Sequence, residues 1–102
     1  MASNLVVSGN LDDNVSSNSV LITKCGLLMA GSDSASDFGG GTLTVQFRGA
    51  DGKWYGSSQT LIAADVVAIE VTQPSEVRIT LSGAGTPDLD YVLQSDMVNL
   101  IE

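Results

Sequence analysis

Two stretches of strict period-two alternation constrain this chain more than any other feature. Thr42-Leu43-Thr44-Val45-Gln46-Phe47-Arg48 puts Leu43, Val45 and Phe47 on one side and polar residues on the other. Glu76-Val77-Arg78-Ile79-Thr80-Leu81-Ser82 does the same with Val77, Ile79 and Leu81. Successive side chains of a strand point to opposite faces, so each stretch predicts a strand with one buried and one wet side. No helix-period pattern longer than two turns and no internal repeat accompanies them. The expected fold is all-β: a single antiparallel β-sandwich, jelly-roll or Ig-like, with an extended N-terminal arm.

The rest of the chain is punctuated at the roughly 8–12-residue spacing of a sandwich or barrel. Leu5-Val6-Val7 predicts a short strand closed by Ser8-Gly9-Asn10, and the Asp, Asn and Ser of 11–19 predict a loop. Residues 1–18 are read as the arm and 19–102 as the sandwich. Val20-Leu21-Ile22 predicts a strand. Lys24 to Ala30 continues it past a bend at Gly26, or forms a short helix that Gly26 disfavours. Residues 31–41 read as a long loop anchored by Phe38, with Gly39-Gly40-Gly41 leading into the strand at Thr42. Asp51-Gly52 signals a hairpin with a return strand over Lys53–Tyr55, and Trp54 is expected to cap the core. Ser57-Ser58 reads as a turn. Strands are expected over Gln59–Ala63 and Val66–Thr72, with Glu70 facing Glu76 and Arg78 across strands. Pro74 breaks the run, since proline cannot donate to a ladder. Residues 83–88 form a loop, and Asp90–Gln94 and the stretch after Asp96 supply the last extended segments.

Composition enters where function is concerned. The 102 residues suffice for one domain with its own core. Four Lys and Arg stand against 12 Asp and Glu, a net charge of -8, which opposes nucleic acid. Lys24, Arg48, Lys53 and Arg78 form no cluster. No basic, apolar leader and no run long enough to span a membrane is expected here. With no His, neither a Ser–His nor a Cys–His pair nor a His/Cys zinc site can form, and no enzyme is expected. Cys25 alone makes no internal disulfide and is expected to be buried as a small apolar residue. Asp12-Asp13 and Asp88/Asp90 pair carboxylates without an environment to separate their pKa values. Asp33 and Asp37 carry hard oxygen ligands in a Ser-rich loop, but the run lacks the glycine and closing Glu of a calcium-binding helix–loop–helix, so no metal or cofactor is assigned. The glycine run lacks the Lys-Ser/Thr and helix of a phosphate cradle.

In order, Gly41-Thr42-Leu43-Thr44-Val45-Gln46, then Asp51-Gly52-Lys53-Trp54, then Val77-Arg78-Ile79-Thr80-Leu81-Ser82-Gly83-Ala84 resembles small β-sandwich virion proteins of tailed bacteriophages. These decorate or cement capsids, or sit at vertices and tails. The likeness covers about half the chain, residues 40–92. It implies a non-enzymatic structural protein made in the host cytoplasm and carried on the virion. Its partners would be the major capsid protein or other virion proteins, and it would form a homo-oligomer, a dimer or trimer. No catalytic residue carries over. The alternatives are a head–tail or tail component, or a carbohydrate- or host-surface-binding module using Trp54, Tyr55 or Tyr91. Candidate contact residues are Leu5, Val6 and Val7, and Met97, Val98, Leu100 and Ile101, because unpaired strand edges template pairing with a neighbour, together with the loop carboxylates Asp33 and Asp37.

Overall fold

The computed structural model describes residues 5–32 and 38–96. Eight strands occupy them: β1 (Val6–Leu11), β2 (Val20–Ile22), β3 (Cys25–Ala30), β4 (Thr42–Arg48), β5 (Trp54–Leu61), β6 (Asp65–Glu70), β7 (Ser75–Ser82) and β8 (Leu89–Ser95). Sheet I has the order β1-β8-β3-β6 and sheet II the order β2-β7-β4-β5. Every pairing is antiparallel, and the strands nest: β1 with β8, β2 with β7, β3 with β6, β4 with β5. A chain wrapped this way, with β3–β8 and β4–β7 closing each sheet, is an eight-stranded jelly roll.

The two alternating stretches become β4 and β7, adjacent in sheet II and in register from Thr42 opposite Ser82 to Phe47 opposite Val77. Leu43, Val45, Val77, Ile79 and Leu81 are buried against Ile22, Leu28, Ile69, Leu89 and Leu93, most of which belong to sheet I. Burying each such side chain contributes about 1.5–3 kcal/mol. Phe38 is buried as the expected loop anchor. The glycine run is a turn rather than a loose approach: Gly39 and Gly40 take φ of 62° and 77°, a region side chains rarely enter.

Within segment 1–18, the described residues from Val6 onward lie on the sandwich. β1 runs through Ser8-Gly9-Asn10 instead of ending there, and Leu11 enters the core. Beyond the short β2, residues 15–17 continue along β7. Ser17 donates its N–H to Ile79 O at 2.8 Å, and Leu81 N–H donates to Val15 O at 3.0 Å. Between them the Ile79 N–H is taken by Ser17 Oγ at 3.1 Å. Ser17→Ala removes that acceptor from a buried amide and is expected to lower stability by about 1–3 kcal/mol. Denaturant unfolding checks this: a midpoint shift at unchanged slope is expected.

Four expectations are corrected and one alternative is set aside. Lys24–Ala30 forms no helix: Cys25–Ala30 is strand, alternating Gly26, Leu28 and Ala30 inward with Cys25, Leu27 and Met29 outward. Cys25 is therefore exposed, because strand parity and not the apolar run around it sets its side. Gly26 faces inward, where a Cβ would lie 2.6 Å from Gln94 O and 2.7 Å from Ile22 Cδ1. Ser57-Ser58 is no turn: β5 passes through it with a bulge where the β4 register shifts between Thr44 and Gln46. Ser57 Oγ donates to Val45 O at 2.8 Å and accepts from Gln59 N–H at 3.1 Å, so the polar pair closes the bulge. Trp54 does not cap the core. It stands opposite Arg48 on the outer face of sheet II, with the Arg78 guanidinium 4.3 Å from its ring centre. Glu70 does not face Glu76 or Arg78, because β6 belongs to the other sheet. Instead Arg48 Nη1 reaches Glu76 at 3.4 Å and Arg78 Nε donates to Gln46 Oε1 at 2.7 Å.

Candidate docking face

The outer faces of the two sheets differ in kind. On sheet II, Thr42, Thr44, Gln46, Arg48, Glu76, Arg78 and Thr80 make the polar surface that alternation predicts. On sheet I, residues directly opposite one another share a face. One outward row reads Val6, Gln94, Leu27, Ala68, and the next reads Ser8, Val92, Met29, Val66. Val6, Leu27 and Val66 are 46%, 39% and 60% exposed, large values for apolar side chains at the middle and edges of a sheet. At strand spacing of about 4.8 Å and rise of about 3.4 Å, this face measures roughly 20 Å by 20 Å. The apolar side chains on it, interrupted by Gln94 and Ser8, make it the candidate interaction site.

Its border is acidic. The four strands of sheet I contain Asp65, Glu70 and Asp90 and no Lys or Arg. Two shallow depressions flank the apolar rows. One, about 270 Å³, lies among Cys25, Leu27, Ala68, Glu70 and Asp96, and the other, about 130 Å³, among Met29, Asp90 and Val92. Asp96 ties the end of β8 to the β2–β3 turn. It accepts from Thr23 Oγ1 at 2.7 Å, Thr23 N–H at 3.1 Å, Ser95 Oγ at 3.2 Å and Lys24 N–H at 3.4 Å. The Thr23 hydroxyl above all, with the Thr23 and Lys24 amides, holds the Asp96 carboxyl below its usual value. A depressed folded pKa contributes stability that is full above the unfolded value near 3.8 and is lost as pH falls through the folded one. Asp96→Asn is therefore expected to lower Tm at neutral pH and to flatten the decline below about pH 4. Thermal melts of both proteins from neutral to acid pH check it.

The carboxylates at the other end of the face are engaged internally. Asn10 Nδ2 donates to Asp88 Oδ1 at 2.7 Å and Asp90 Oδ1 at 2.9 Å, and Ser32 Oγ donates to Asp90 Oδ2 at 2.9 Å. Among the described residues no three metal-ligating side chains converge. The aromatics proposed for sugar binding do not form a bare platform. Arg78 covers Trp54, while Tyr55, 52% exposed, donates its hydroxyl to Asp51 Oδ2 at 2.6 Å.

Of the contact residues read from sequence, Leu5, Val6 and Val7 lie along the β1 edge. Leu5 O accepts from Ser95 N–H at 2.8 Å, Val6 points out, and Val7 packs inward. Asp33, Asp37, Met97, Val98, Leu100 and Ile101 lie outside the described residues. Leu27, Met29, Val66, Ala68 and Val92 were missed. The sequence carries half of the signal, since CGLLMA and VVAI lack polar alternation, but only their place in an antiparallel sheet shows that one apolar side is left without cover. Comparison with protein-family models, curated proteins and solved structures finds no match for this chain.

Proposed function

We propose that this chain is a non-enzymatic structural protein of a bacteriophage particle, seating the outer face of sheet I on the capsid as a decoration or cement protein. The observation that carries the reading is the apolar face of Val6, Leu27, Met29, Val66 and Val92, on strands whose charged residues are all carboxylates. The surface it fits is another protein's apolar patch ringed by Lys and Arg. Apolar contact supplies the burial and the acidic border supplies orientation and encounter rate. The jelly roll adds an analogy of architecture, since viral capsid domains share it, as do lectins. Arg78 over Trp54 and the Tyr55–Asp51 bond weigh against the sugar-binding alternative.

Co-sedimentation with capsids assembled without the chain tests the proposal. Saturable binding at a fixed stoichiometry is expected. It should weaken between about 50 and about 500 mM NaCl, as screening removes the contribution of the acidic border, without being abolished. Failure to co-sediment overturns capsid decoration. Binding to isolated tails instead would move the same face to the head–tail alternative.

A further inference from the structure

Each sheet of the sandwich has two edges, and three of the four are closed to a further strand. In sheet II, β2 is three residues long, and β5 carries the Ser57 bulge. In sheet I, the β3-facing groups of β6 belong to Asp65, Val67 and Ile69, so Val66, Ala68 and Glu70 aim theirs outward. Two of those outward groups are already taken: Val66 N–H donates to Asp65 Oδ1 at 2.8 Å, and Ala68 O accepts from Gln59 Nε2 at 2.8 Å. Short edges, bulges and local capping are how sheets avoid unwanted pairing.

β1 has none of these protections. The Ser95 N–H bond to Leu5 O sets its parity, so Leu5, Val7, Gly9 and Leu11 pair with β8. The N–H and C=O groups of Val6, Ser8 and Asn10 point away and meet no strand among the described residues. The strand VVSGNL is regular, six residues long and uncharged, in a chain of net charge -8.

We propose that β1 pairs antiparallel with β1 of a second copy, about a two-fold axis at Ser8. Ser8 then faces Ser8 of the other copy, and Val6 faces Asn10, each pair exchanging two backbone bonds. No charge is brought to the seam, which singles out this edge for self-pairing: the same operation on β6, about Ala68, sets the Glu70 carboxylate of each copy against Val66 of the other. The result is a continuous sheet, β6-β3-β8-β1 followed by its symmetry mate, with the apolar outer faces merged. One face of roughly 400 Å² falls short of the roughly 800 Å² per partner of a stable interface, and two together reach it. The docking face is thus completed by the second copy. This last consequence rests on the proposed function, whereas the pairing itself does not.

The test is sedimentation equilibrium of the purified full chain without capsids, up to its solubility limit, together with amide hydrogen exchange. A dimer is expected, in which the amides of Val6, Ser8 and Asn10 are protected like those of Val7, Gly9 and Leu11. Ser8→Pro removes an outward N–H that the single subunit does not use, and Ser8→Lys charges the axis. Both are expected to be folded monomers in which only the odd-numbered amides stay protected. A wild-type monomer throughout overturns the proposal. So does a dimer whose Val6, Ser8 and Asn10 amides exchange freely, or one that survives Ser8→Lys. Capsid binding by a wild-type monomer would sink the pairing and leave the docking reading standing, and a β1-paired dimer that ignores capsids would do the reverse.

Discussion

Ile79→Asp is expected to leave this chain unfolded at room temperature. Ile79 is fully buried on β7, opposite Val45 on β4, and packs into the core between the sheets. Truncating such a side chain costs about 2–5 kcal/mol through lost burial and the cavity left behind. Placing a carboxylate there adds several kcal/mol more, because no described cation lies in that layer to pair with it. Arg48 and Arg78 are held on the opposite face of the same sheet by Glu76 and Gln46. A domain of this size is stable by about 5–15 kcal/mol, so the substitution consumes most or all of it. Val45→Asp and Leu81→Asp should behave alike, since both are equally buried. Far-UV circular dichroism and a thermal melt decide the matter. A soluble Ile79→Asp variant with a cooperative transition would show that the inner face of sheet II is wrongly assigned.

The second large effect is on binding. Leu27→Lys combined with Val66→Lys is expected to weaken capsid association by about 30-fold to 1,000-fold, the loss of two central apolar contacts worth about 2–4 kcal/mol. Both side chains are exposed, so the cost to folding is expected to stay within about 1 kcal/mol. Leu27 sits on central strand β3 and Val66 on β6, one row apart on the same face. Thr60→Lys, on the outer side of sheet II opposite Thr44, is the control and should leave association unchanged. Binding by the double variant at the wild-type level, with an unaltered melt, would remove sheet I from the interface. Equal losses for the double variant and the control would mean that added positive charge, not position, matters.

Much of the strand content was legible because alternation is a local consequence of strand geometry. β4 and β7 are visible residue by residue, and Val20–Ile22 and the strand through Leu93 follow from β-branched and apolar clusters. The bulge in β5 was half legible: Ser57-Ser58 signalled an interruption, but only the β4 ladder shows that the strand resumes in the same sheet. Cys25 and Trp54 were misplaced for a common reason. Hydrophobic character suggests burial, but parity along the strand decides which side a residue takes, and parity is unknown until a neighbour sets the register.

The candidate face was the least legible feature. Cys25–Ala30 and Val66–Ile69 are apolar on both sides, so nothing in them distinguishes a strand covered twice from one left half uncovered. The sequence by itself determined that this chain is made of antiparallel strands, where most of them lie, that its surface is acidic, and that histidine chemistry is absent. The tertiary structure alone decided which strand neighbours which. β1 joins β8 across nearly the whole chain, and β6 joins sheet I rather than lying beside β7. A period-two pattern names a strand's two faces but not its partner. The partner is chosen by packing between residues far apart in sequence, and that choice brought Val6, Leu27, Val66 and Val92 onto one open surface.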